Sequence, residues 1–264
     1  MSPRPSSAYL NDFYANAPVY SYSSAVAADY VNIINDKIAL ISGFLKRFPQ
    51  VPSQGLAVDF GAGNGSTVKS LSELGFEAEG VEISEKARAA AKALFGVSIH
   101  DGRIDDYETE TLSFLTLFDV LEHLLEPRDF LTTLAKRLKP GGACLIGVPN
   151  FNSLDRLVLG TASKALIFPE HVNQFTSTTL RQLLELCGYR VLYVGSPPPY
   201  GVAITFGVRR RLQKALGRTR MSLGLCKCLV WIKRYIVYPL PNLFVEKTGL
   251  LGQSLLILAY KARE

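Results

Sequence analysis

The chain has 264 residues, of which 48% are hydrophobic and 20% charged, which excludes a disordered polypeptide and suffices for a sizeable buried core. Four scattered cysteines, Cys144, Cys187, Cys226 and Cys228, exclude a disulfide framework and read as reduced thiols, as in a cytosolic protein. The net charge of +6 is local: nine basic and no acidic residues lie between Val208 and Arg234, so the remainder nets −3.

Residues 1–50 read as a mostly helical cap. Five of its residues are tyrosines, Tyr9, Tyr14, Tyr20, Tyr22 and Tyr30. Ile33, Ile34, Ile38, Ile41 and Leu45 recur near helical spacing, and Pro49 and Pro52 stop the pattern. The opening residues lack the apolar run of a secretory signal. From residue 51 to 195 the pattern alternates. Strands are predicted at 56–60, 78–83, 97–100, 114–120, 143–148 and 190–194. Helices are predicted at 66–74, at 84–94 with Ser84 as its cap and Gly96 beyond its end, at 127–138, and from Thr176 or Ser177 to Cys187. Pro140-Gly141-Gly142 reads as a turn before the fifth strand. Residues 196–253 break this rhythm and read as an insertion, and 254–264 supply a last strand. The expectation is an α/β protein with a doubly wound, seven-stranded sheet, a helical cap before it and an insertion ahead of its final strand.

Chemistry concentrates at two strand ends. After the first strand stands Val58-Asp59-Phe60-Gly61-Ala62-Gly63-Asn64-Gly65, which opens a helix. Glycines at 61, 63 and 65 permit positive φ and close approach of a ligand, and the helix start offers unpaired N–H groups. Glu82, seventeen residues after Gly65, ends the second strand, where a carboxylate can accept hydrogen bonds from both hydroxyls of a ribose. Loop and acid together describe a site for a nucleoside-type cofactor. Ser66 stands where the dinucleotide fingerprint would continue toward its third glycine, which disfavours a nicotinamide cofactor.

The segments VDFGAGNG, GVE, FDVLEH and LKPGG together resemble the class I S-adenosylmethionine-dependent methyltransferases. The branch they resemble contains ubiquinone-biosynthesis O-methyltransferases and bacterial sugar and small-molecule methyltransferases. The likeness covers residues 50–195 and the final strand and implies a Rossmann-like methyltransferase sheet whose last strand is antiparallel. It implies that Asp59, Gly61, Ala62 and Gly63 line the methionine part of the cofactor, that Glu82 holds the ribose and that Ile83 lies beside the adenine. The adenine-side loop falls on Asp101–Ile104, where Arg103-Ile104 departs from the pattern. Phe118 and Asp119 would flank the methionine end. Ser113 is a second departure, where relatives have aspartate.

Asp119, Glu122 and His123 follow the fourth strand at helical spacing and share a face if the chain turns helical there. Three readings stay open. Glu122 and His123 cap the next helix; or His123 is a general base for an acceptor hydroxyl; or Asp119, Glu122 and His123 bind a divalent cation, as the E-x-x-E-H site of some relatives does. Pro169-Glu170-His171 lies on the acceptor side, where His171 contacts substrate, serves as an alternative base or staples a loop. His100 reads as structural. Pro197-Pro198-Pro199-Tyr200 follows strand six and reads as a loop, not the box of amino-methylating enzymes, which follows strand four.

The segment 208–236 interleaves Arg209, Arg210, Arg211, Lys214, Arg218 and Arg220 with Leu225, Leu229, Trp231, Ile232 and Tyr235. It reads as a lid packed on the sheet, a surface lying on a membrane, or a contact for an anionic acceptor. Prolines and charges rule out a conventional membrane span at 221–245. No nucleic-acid partner is expected. The expected activity is O-methylation of a small-molecule hydroxyl (a sugar, a saccharide lipid, or a quinone- or polyketide-like acceptor) in the cytoplasm or at the membrane periphery. The alternatives are a nicotinamide-dependent oxidoreductase and a non-catalytic, membrane-associated protein that keeps the fold.

Overall fold

A computed structural model describes residues 27–153, 169–196 and 252–262, with short pieces at 5–6, 8–10, 12, 156–157, 160–163 and 166–167. The proline run, the basic segment, Cys226 and Cys228 lie outside the described residues. So do all but Ser196, Gly252 and Gln253 of the expected insertion.

Helix α1, Ala27–Arg47, is followed by strand β1, Leu56–Phe60, and helix α2, Ser66–Glu73. Next come β2, Glu77–Val81; α3, Glu85–Phe95; β3, Ile99–His100; and β4, Leu112–Phe118. The chain continues through α4, Pro127–Arg137; β5, Leu138–Pro149; α5, Ser177–Leu186; β6, Tyr189–Gly195; and β7, Ser254–Lys261. One sheet of seven strands results, in the order β3-β2-β1-β4-β5-β7-β6. Strands β1 to β5 pair in parallel, and β7 is antiparallel to both β5 and β6.

The caps read from the sequence do their work. Ser84 accepts from Ala87 N–H and Gly96 ends α3 in the left-handed region. Thr176 accepts from Thr179 N–H at the start of α5. Pro140-Gly141-Gly142 differs from expectation. It lies inside β5, where pairing with β4 slips between Leu112 and Phe114, so it forms a bulge within the ladder and not a turn before it.

Alternation with period two sorts the strands onto two buried faces. Cys144, Ile146 and Val148 of β5 and Leu255, Ile257 and Ala259 of β7 join the cluster that contains Leu131, Leu134, Leu180 and Leu184 of α4 and α5. Ala143, Leu145, Leu256 and Leu258 join Ile41 and Phe44 of α1 and Leu71 of α2 on the opposite face. Strand order reverses between β1 and β4, and in an open parallel sheet the crevice beyond such a reversal is where ligands bind. Both chemistry-bearing segments leave the sheet at that point.

Candidate active site

On one side of the reversal, Gly61 and Ala62 donate their N–H groups to Val81 O at 2.8 and 2.9 Å, tying the glycine loop to the end of β2. Gly61 has φ +75, and a Cβ there would collide with Val120, so two constraints demand glycine at that position. Gly63 N–H donates to Glu82 Oε2 at 2.9 Å, and Ser84 N–H donates to Oε1 at 2.9 Å. The Glu82 carboxylate is buried, yet each oxygen keeps a second lone pair for a ribose hydroxyl. Beside it Ile83 is 48% exposed, an apolar surface of the kind a purine covers. Arg88 Nη1 holds this corner by donating to Glu82 O at 2.7 Å and Ile83 O at 2.9 Å. These features fit an adenosine. Ile104, at the end of the expected adenine-side loop, has its side chain buried in the core.

Beneath the loop, buried Asp59 accepts from Thr116 Oγ1 at 2.6 Å. Burial pushes this carboxyl up to about 6, against the pull of the Lys37 ammonium. Lys37 reaches in from α1, bonds to Thr67 Oγ1, and lies 4.9 Å from the centre of the Phe118 ring. Desolvation lowers its pKa although Asp59 and Asp119 oppose the shift. Lys37, Thr67 and Thr116 belong to no motif in the sequence. A signal for Lys37 existed: it shares a helical face with Ile34, Ile41 and Phe44, an odd position for a lysine unless it has a partner inside.

Across the reversal, Asp119 takes φ +55 as β4 ends, and its N–H donates to Gly147 O at 2.9 Å. Leu121–His123 then forms a single 3₁₀ turn. It does not cap α4, whose first residue follows Glu126 without a side-chain cap bond. Glu122 is only 1% exposed, and neither carboxylate oxygen has a hydrogen-bond partner among the described residues. Burial, reinforced by the charge of Asp119, pushes it up to about 8. His123 Nδ1 lies 2.9 Å from Glu170 O; a carbonyl only accepts, so Nδ1 carries the proton. Burial lowers His123 to about 4, so the imidazole is neutral near pH 7 and Nε2 holds a lone pair. Nε2 lies 3.9 Å from Glu122 Oε1.

His171 arrives from the 169–173 loop, its ring centre 4.9 Å from that of His123 at an angle of 67°. One ligand atom each from Glu122, His123 and His171 lies within 4.8 Å of the others. The structure thus groups Glu122 and His123 with His171, where the sequence grouped them with Asp119. His100 has a partner after all, Tyr107 Oη at 3.2 Å.

The sequence model of a family described as "Methyltransferase domain" matches residues 35–194, more than half of the chain. A ubiquinone biosynthesis O-methyltransferase of Caulobacter vibrioides is 28% identical over 170 residues, which make up 58% of this chain and 65% of that protein. Among solved structures, magnesium protoporphyrin IX methyltransferase of Synechocystis PCC 6803 with bound SAH has a TM-score of 0.58 at 14% identity, covering 97% of this chain and 100% of that one. Phosphoethanolamine N-methyltransferase 2 of Haemonchus contortus has a TM-score of 0.59 at 17% identity, covering 98% of this chain and 61% of that one. At these identities the structures speak to fold, and the family match speaks to kinship. The chain belongs to the methyltransferase-domain family, with the sheet of the S-adenosylmethionine-dependent methyltransferases.

Proposed function

We propose that this protein methylates a hydroxyl of a small molecule with S-adenosylmethionine as donor. The observation that carries the reading is the pairing of two unlike pockets at one strand reversal. Glu82 and Gly63 are set for an adenosine on one side. A neutral imidazole protonated on Nδ1, His123, stands on the other. The bound cofactor supplies a methyl group on a sulfonium, open to in-line displacement. Glu82 holds the ribose, Ile83 covers the adenine, and Gly61, Ala62 and Gly63 with Asp59, Phe118 and Asp119 enclose the methionine end. Lys37 offers its ammonium in the same quarter. His123 Nε2 would take the proton of the acceptor hydroxyl as that oxygen receives the methyl group, the bonding pair leaving on sulfur as a neutral thioether. His171 borders the acceptor. The O-methyltransferase named among the relatives favours a hydroxyl on a quinone-like ring, with sugars and saccharide lipids as further acceptor classes. The family match favours methyl transfer over the nicotinamide alternative.

A second reading has its own support. A buried carboxylate with neither oxygen hydrogen-bonded among the described residues, as at Glu122, costs roughly several kcal/mol if ionised. A divalent cation on Glu122, His123 and His171 would relieve that cost and would acidify an acceptor hydroxyl.

Residues 1–50 and 196–253 complete the proposal as covers of a core formed by 51–195 and 254–264. The basic stretch 208–236 would face a membrane surface or an anionic acceptor, in the cytoplasm or at the membrane periphery. No helix among the described residues is long and apolar enough to cross a membrane.

The test is calorimetric titration with S-adenosylmethionine and with NADH, then transfer of labelled methyl to a panel of phenols, catechols and sugars, with and without EDTA. Binding of S-adenosylmethionine and labelling of a hydroxyl are expected. Binding of NADH alone would restore the oxidoreductase, and flotation with anionic vesicles without cofactor binding would leave a scaffold.

A further inference from the structure

The 169–173 loop is hung on the 121–124 turn by three bonds, each across more than forty residues of sequence. Asn173 N–H donates to Glu122 O at 3.0 Å. Asn173 Nδ2 donates to Leu124 O at 2.5 Å. His123 Nδ1 donates to Glu170 O at 2.9 Å. The first two bonds set where the loop lies, and the third is the one that matters chemically. A neutral imidazole carries one ring proton, and whichever acceptor meets Nδ1 decides which nitrogen bears it. Glu170 O can meet Nδ1 only if the loop sits at this height over the turn.

Leu124 closes the 3₁₀ turn in an extended conformation, and its backbone N–H is spent on Leu121 O. Its carbonyl is satisfied by the Asn173 amide. The side chain of Asn173 therefore ties the loop to the turn at the residue after His123, a second anchor beside its own backbone bond to Glu122 O.

We propose that Asn173 is a positioning residue, a strap that holds the Glu170 carbonyl on His123 Nδ1 and thereby keeps the proton off Nε2. The inference rests on the reading of His123 as an acceptor-side group and serves either use of Nε2, as base or as metal ligand. Fixing the tautomer through the second ring nitrogen is the general way a histidine is made ready for both tasks.

The experiment is nitrogen-15 NMR of histidine-labelled protein without added metal. Only three histidines exist, His100, His123 and His171, and single substitutions assign them. The expected result is His123 as a fixed Nδ1–H tautomer in the parent protein and as a mixture of tautomers in Asn173→Ala. Melting temperature and S-adenosylmethionine affinity report whether the variant is folded; if Asn173→Ala does not fold, Asn173→Ser, which also lacks the amide donor, is read in the same way. Once an acceptor is in hand, turnover of the variant falls about 10- to 100-fold with KM for the cofactor unchanged. A purely structural asparagine would instead lower stability and leave the tautomer alone. A fixed Nδ1–H tautomer in the folded variant overturns the proposal, as does an Nε2–H tautomer in the parent. Failure of the functional reading is recognised separately, by normal turnover in His123→Ala.

Discussion

The two halves of the crevice are built in opposite ways. Around Glu82 the partners are local in sequence: Ser84 lies two residues away and Gly63 nineteen residues away, and the loop hangs on the next strand. On the β4 side the groups are assembled from afar, His123 against a loop forty-seven residues later, and the Glu122 carboxylate has no hydrogen-bond partner among the described residues. The first half is a finished receptacle whose acid is satisfied before any ligand arrives. The second holds shifted, under-satisfied groups, the condition expected where chemistry is done.

That contrast can be broken or sharpened by substitution. The largest effect is expected at His123. His123→Ala should slow methyl transfer by about 100- to 10,000-fold while calorimetry shows unchanged cofactor affinity. A matching loss of affinity would merge the two halves. Glu82→Ala should do the reverse, weakening cofactor binding about 100-fold through loss of two hydrogen bonds to a charged acceptor. Its melting temperature falls as well, because Gly63 and Ser84 lose their acceptor; Glu82→Gln keeps one acceptor oxygen but sets its NH2 against the other N–H, so it too melts below the parent.

A third test is thermodynamic. Glu122 holds its proton in the folded protein up to about pH 8, whereas an unfolded glutamate releases it near 4.5. Between these values the folded state binds more protons, so this group's contribution to stability falls as pH rises. In EDTA, Glu122→Gln should therefore melt close to the parent at pH 4 and several degrees higher at pH 8.5. Parallel melting curves across that range would mean that Glu122 is ionised and paired. The smallest effect belongs to the finished half: Ser84→Ala removes the α3 cap at about 1 kcal/mol, a drop of about 2–4 °C. Cofactor affinity should hold, since the backbone N–H that meets Glu82 remains.

The same division explains what could be read in advance. The sheet, its helices and their caps were legible because period, Ser84, Gly96 and Thr176 are local signals. The glycine loop and Glu82 were legible for the same reason. Lys37 was legible only as a lysine out of place on an apolar face, because its reach to Thr67 and Phe118 exists only once α1 packs on α2. The association of His123 with His171 in place of Asp119 was not, because sequence spacing assumed a helix where a 3₁₀ turn forms. Pro140-Gly141-Gly142 has a turn's composition, and only pairing with β4 on both sides of it makes it a bulge.

Titration of the parent protein and of Glu82→Gln with S-adenosylmethionine goes most directly to the root of the account. Single-site binding by the parent that is severely weakened in a variant that still unfolds cooperatively above the titration temperature is the outcome expected. Equal affinity in both proteins, or no binding by either, would contradict it.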